Sequence, residues 1–84
     1  MTENQPAGIT LNGSARALAD HETITHLIVE LTGRAIDADG RATDGGRLGV
    51  AVARNSGVVP RSLWAATTLT AGDDIEIVTA AQGG

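Results

Sequence analysis

VAVARNSGVVPRSLWAATTLTAGDDIEIVTAAQGG, residues 50 to 84, is the stretch on which the fold turns. Val50 and Val52 alternate with Ala51 and Ala53, and a strand that is apolar on both faces belongs inside a sheet rather than at its edge. Asn55-Ser56-Gly57 supplies a turn. Val58-Val59 then makes a short strand that Pro60 closes, because proline cannot donate to a ladder. Arg61 to Leu69 reads as a helical turn or an irregular crossing that carries Leu63, Trp64 and Leu69 back over a core. After the turn Ala71-Gly72-Asp73-Asp74 comes a last strand with Ile75 and Ile77 inward, and it runs directly into Gly83-Gly84. Two such glycines lose backbone entropy that no side-chain burial recovers, so the pair is expected either to fray or to serve something outside the domain.

Upstream of this stretch, Ile9-Thr10-Leu11 leads into Asn12-Gly13 and a second short run ending at Leu18. Asn-Gly between two such runs signals a hairpin, since a type I′ turn needs positive φ at both central residues. Arg16 in the second run places that strand at an edge. Ile24, Leu27, Ile28 and Leu31 fall at i, i+3, i+4 and i+7, one apolar stripe of a helix of about three turns. Thr23 is placed to cap it through its hydroxyl, Glu22 stands near the positive end of the dipole, and Gly33 follows where a left-handed glycine ends helices. The segment 34–48 holds one large apolar residue before Leu48, with three Asp and three Gly up to Arg47, and reads as a flexible, solvated loop. Shortening it between Asp37 and Gly46 should then shift stability by at most about 1 kcal/mol, because loop-closure entropy changes slowly with length.

The order is β-β-α, loop, β-β, crossing, β: an α+β chain with one helix across one face of a small mixed sheet. Its 84 residues make a single domain, since a chain this short buries only roughly 60% of its unfolded surface. The expected limits are a lead-in at 1–7, the domain at 8–80 and a flexible tail at 81–84. One aromatic residue, Trp64, and no Cys leave the core to Ile, Leu, Val and Ala and exclude disulfide or thiolate chemistry within the chain. MTENQPAG has neither basic residues nor an apolar run, so it does not read as a secretory signal, and no stretch reaches the length of a membrane span. A soluble, cytoplasmic protein is expected. The net charge of -4 and six arginines scattered singly along the chain argue against nucleic acid, which requires a clustered basic face.

Val59-Pro60-Arg61 with Trp64 three residues on, Gly72-Asp73, Ile75-Glu76-Ile77-Val78 and the Gly83-Gly84 that follows a strand resemble the sulfur carrier proteins of thiamin biosynthesis, the ThiS family. The fold this implies is the ubiquitin-like β-grasp. Molybdopterin-type carriers share the fold and tail but usually have prolines where this chain has Val78-Thr79-Ala80-Ala81. The resemblance implies that an E1-like adenylyltransferase of the ThiF/MoeB type uses ATP to adenylate the Gly84 carboxylate. Sulfur then replaces AMP, and a thiazole synthase of the ThiG type takes it from the thiocarboxylate. The chain would be a protein cosubstrate, not an enzyme, with no catalytic residue, bound cofactor or metal of its own.

Gly84 is thus the expected point of sulfur attachment, and Gly83 lets the tail thread into a closed active site. Ala51, Ala53 and Val78 are expected on the sheet face away from the helix, where small apolar residues suit a docking partner. Arg61 either pairs locally with a carboxylate or meets that partner. Trp64 is read as core, and His21 and His26 as solvated side chains. Asp37, Asp39 and Asp44 lack the closing Glu of a calcium loop and are read as loop polarity. Two other functions fit the same sequence: a carrier for molybdopterin or another sulfur-containing product, and a ubiquitin-like binding module without covalent chemistry.

Overall fold

A computed structural model describes residues 8–79. Strands β1 (Gly8–Leu11) and β2 (Ser14–Ala17) form a hairpin, helix α1 (Ile24–Thr32) follows, and β3 (Val50–Arg54), β4 (Gly57–Val58) and β5 (Asp74–Thr79) complete one sheet, with a 3₁₀ helix at Arg61–Ala66 before β5. The sheet order is β2-β1-β5-β3-β4. β1 and β5 run parallel and every other pair is antiparallel. With α1 packed on one face, this is a β-grasp. Both hairpin turns have the pairs of positive angles a type I′ turn requires: Asn12 and Gly13, the favoured pair, have φ of 50° and 83°, and Asn55 and Ser56 have φ of 50° and 73°, with a serine where glycine is usual.

The core gathers Ile9, Val52, Ile75 and Ile77 from the sheet, Ile24, Leu27 and Ile28 from α1, and Leu48, Trp64 and Leu69 from the connections. Trp64 is buried, and its indole N–H donates to the Val59 carbonyl at 3.0 Å. Two expected core residues lie outside. Leu31 is 45% exposed, because it stands in the last helical turn and the packed stripe stops at Ile28. Leu63 is 50% exposed, because a 3₁₀ turn advances about three residues per turn and only Trp64 of its neighbours points inward.

The start of α1 differs from expectation in its chemistry. The Thr23 N–H donates to Nδ1 of His26 at 2.9 Å, so His26, exposed as expected, also takes the part that Glu plays in a capping box. The Thr23 hydroxyl lies 3.2 Å from the same nitrogen. Gly33 ends the helix at φ 72°, its N–H donating to the Val29 carbonyl, as expected. Glu22 serves the edge strand instead of the helix dipole. Arg16 forks onto Glu22 at 2.7 Å and Glu30 at 2.5 Å, tying β2 to α1. Those hydrogen bonds hold both carboxyls below their ordinary range.

The segment 34–48 is built rather than loose. Ile36 and Ala42 form a β-bridge, Ala42 and Leu48 are buried, and Ile36 packs against the core. Asp37 accepts the N–H groups of Asp39 and Arg41, and Asp44 accepts from the Gly46 N–H and pairs with Arg34 at 3.0 Å. Reading this stretch from composition alone missed its ties because most of them are to backbone atoms.

Asp73, a buried carboxylate, fastens the start of β5. It accepts from the Arg54 Nε at 2.8 Å, the Asn55 amide at 3.0 Å and the Thr70 N–H at 2.9 Å. Burial pushes this carboxyl up, but those donors outweigh it and hold it below the ordinary carboxylate value. A depressed folded-state value means stability that is present above the unfolded value of about 3.9 and lost as pH falls through the folded one. The urea midpoint of Asp73→Asn should therefore lie well below that of the wild type at neutral pH and approach it in strong acid. A gap that does not change with pH would show that Asp73 contributes nothing through its charge.

Candidate functional site

β5 carries the chain toward the glycines, so the site is built on what holds β5. Its register against β3 pairs Val50 with Thr79, Ala51 with Val78, Val52 with Ile77 and Ala53 with Glu76. The parallel partner β1 reaches only as far as Leu11 opposite Ile75. Beyond it the Asn12 side chain continues the ladder: its Oδ1 accepts from the Ile77 N–H at 2.8 Å and its Nδ2 donates to the Ile77 carbonyl at 3.3 Å. Asn12 was legible as a turn residue but not as this clamp, which joins positions 65 apart in sequence. β5 is thus fixed on both sides through Ile77, while Val78 and Thr79 lie beyond the clamp.

Cross-strand partners share a face. Ala51 and Val78 therefore stand side by side on the surface away from α1, with Ala53 between Glu76 and Val58. Val78 is 63% exposed and Val58 80%, while Ala51 is exposed and Ala53 half-buried. The structure thus brings together the three residues expected to form a docking face and adds Val58, which the sequence showed only as a strand residue. Its presence there depends on register with Ala53. Gly83 and Gly84 lie outside the described residues, as does the lead-in at 1–7.

Arg61 is not on this face. Its Nη1 donates to the Gly40 carbonyl and its Nη2 to the Leu48 carbonyl, both at 2.9 Å, and its guanidinium lies 5.0 Å from the Trp64 ring centroid. The carboxylate expected as its local partner is replaced by two backbone oxygens, which the fork of an Arg satisfies together. Its position is that of a clamp between the 3₁₀ helix and the loop.

Among the described residues, no group of three or more His, Asp or Glu side chains is arranged to hold a metal ion, and no helix is long and apolar enough to cross a membrane. What the arrangement offers is a strand hydrogen-bonded on both sides as far as Ile77, with exposed Ala51, Val58 and Val78 on one face of the sheet beside it. A comparison with curated protein sequences finds no match. Among solved structures, a thiamine biosynthesis protein, ThiS, from Geobacter metallireducens is similar, with 25% identity and a TM-score of 0.59 over 92% of this chain and 99% of that one. The model of the ThiS family matches residues 9–84, from the first inward residue of β1 through both glycines, and the chain belongs to that family.

Proposed function

We propose that this protein is a sulfur carrier of thiamin biosynthesis, in which the Gly84 carboxylate is adenylated by an E1-like enzyme and converted to a thiocarboxylate. The supporting observation is the family match through Gly84, joined to a sheet whose central strand leads there. A carboxylate is a poor electrophile until one oxygen becomes part of a good leaving group. Attack of that oxygen on the α-phosphorus of ATP, with loss of pyrophosphate, gives an acyl adenylate. A sulfur nucleophile can then displace AMP. The thioacid is ionised at neutral pH, and its soft sulfur is suited to transfer, for which a thiazole synthase is the proposed acceptor. ATP belongs to the activating enzyme. Gly83 and Gly84 present no side chain, so they fit a narrow channel and allow the geometry that attack requires.

Incubation with the activating enzyme, ATP and a sulfur donor should yield protein heavier by the difference between sulfur and oxygen, as read by intact mass. No mass gain under conditions in which the enzyme activates another carrier would sink the proposal. Rescue of a deletion strain by thiamin separates this role from supply of sulfur to another product.

The outer face supplies the docking surface for the activating enzyme in this reading. Val78→Asp should weaken binding by on the order of tenfold or more, since the charge must be desolvated in the complex. The folding cost is smaller, since at 63% exposure the carboxylate stays hydrated in the free protein. The partner dissociation constant and the urea midpoint are read together. Unchanged affinity with normal stability would remove this face from the interface.

A further inference from the structure

The six arginines are single in sequence, but the fold collects three of them. Arg41, Arg47 and Arg61 line one open cleft of about 510 Å³ on the segment 34–48, with Asp37 its sole acidic lining residue. Of the acids in the loop, Asp37 is engaged by backbone N–H groups and Asp44 by Arg34 and the Gly46 N–H, while Asp39 is exposed and does not line the cleft. Arg61 is held in place by two carbonyls. Arg41 and Arg47 are exposed, and neither side chain has an ion-pair partner among the described residues. Stability therefore gives these two guanidinium groups no evident role. On a chain of net charge -4, they and Arg61 place three guanidinium groups against one acid in a single cleft.

Its location narrows the occupant. Arg47 is three residues before Val50, and Val50 pairs with Thr79, the end of β5. Three residues span at most about 11 Å, so the cleft opens at the end of the sheet from which the chain goes on to Gly83 and Gly84. Any enzyme that takes the tail must come to this end. We propose that the Arg41–Arg47–Arg61 cleft receives an acidic segment of the activating enzyme, whose carboxylates pair with the forks of Arg41 and Arg47. This rests on the sulfur-carrier reading. Arg suits the purpose, since its planar fork takes a carboxylate by two parallel bonds. The contrast with the acidic remainder of the surface fixes the register in which the enzyme arrives, as complementary charge does at interfaces generally.

The test compares the full chain with Arg41→Glu/Arg47→Glu and with Arg41→Lys/Arg47→Lys. Affinity for the activating enzyme is measured at ionic strengths of about 0.05 M and about 0.5 M, between which screening becomes strong. The wild type should bind more weakly at high salt. The Glu variant should lose on the order of tenfold or more at low salt and show a flattened salt dependence, while the Lys variant keeps the salt dependence with its charge but loses part of the affinity with the fork. Unaltered urea midpoints show that the loop survives the changes. Affinity of the Glu variant equal to wild type, or wild-type binding indifferent to salt, overturns the proposal. So does saturable pyrophosphate binding by the free chain that the Glu variant loses while its enzyme affinity is unchanged, because the cleft would then be a small-anion site. Failure of the sulfur-carrier reading shows separately, as absence of the sulfur mass gain in the wild type at saturating enzyme.

Discussion

Deleting Gly84, or adding one residue after it, should abolish thiocarboxylate formation while the domain stays folded. Either change moves the acyl carbon by one residue, about 3.5 Å along an extended chain. Reacting atoms must sit about 3–3.5 Å apart and aligned, and misplacement by about 1 Å already lowers rates on the order of 100-fold. A full residue of error therefore leaves no productive geometry unless the tail can slide. Slippage of β5 itself is opposed, because Asn12 fixes both backbone groups of Ile77 and β3 pairs with β5 as far as Thr79. Gly83→Val should reduce conversion less severely, since a β-branched side chain stiffens and widens the tail without moving its end. Intact mass after a timed incubation measures all three variants, and the urea midpoint confirms their folding. Undiminished conversion by the shortened or lengthened chain would show that Gly84 is not the acyl group.

The parts of the molecule that sequence exposed are those set by local periodicity. Alternation placed Val52, Ile75 and Ile77 inward and Ala51 and Val78 outward, because side chains of a strand point to opposite faces whatever the strand pairs with. Asn12-Gly13 forced its turn for a similarly local reason. What escaped were contacts between distant residues through backbone atoms. Arg61 reaches Gly40 across 21 positions, and nothing in an arginine's identity says that its acceptors will be carbonyls. The cluster of Arg41, Arg47 and Arg61 was hidden for the same reason, as spacing along the chain does not report distance across a loop. The capping contact of His26 is not legible because its ring nitrogen, unlike a Glu, is not a usual capping acceptor. Val58 joins the docking face only through its register with Ala53.

Replacing Asp37 to Gly46 by a short linker should cost about 2–4 kcal/mol, not the 1 kcal/mol or less that loop-closure entropy alone implies. The excision removes buried Ala42, the bridge that holds Ile36 against the core, and the Gly40 carbonyl that accepts from Arg61. A half-buried guanidinium then loses one of its two acceptors, and hydrogen bonds to charged groups are worth about 1.5–3 kcal/mol. Gly40→Ala tests the same joint with one methyl group. Gly40 is buried at φ 80°, where an L side chain is strained, and its Cβ would overlap the Arg61 side chain and carbonyl oxygen. The αL strain alone is about 1–2 kcal/mol, and the overlap with backbone cannot be relieved by a rotamer change. Arg61→Ala removes both carbonyl bonds, and Arg61→Lys cannot restore them, because a single ammonium lacks the fork that spans Gly40 and Leu48. If Gly40 and Arg61 form one joint, the loss in Gly40→Ala/Arg61→Ala falls short of the sum of the single losses by at least about 0.5 kcal/mol in a double-mutant cycle. Additive losses, or a shortened loop within about 1 kcal/mol of wild type in urea unfolding, would mean that the loop merely rests on the domain. A loop locked by Arg61 holds Arg41 and Arg47 at the tail end of the sheet, so Arg61→Ala should also weaken the salt-sensitive part of enzyme binding, although its own guanidinium faces carbonyls.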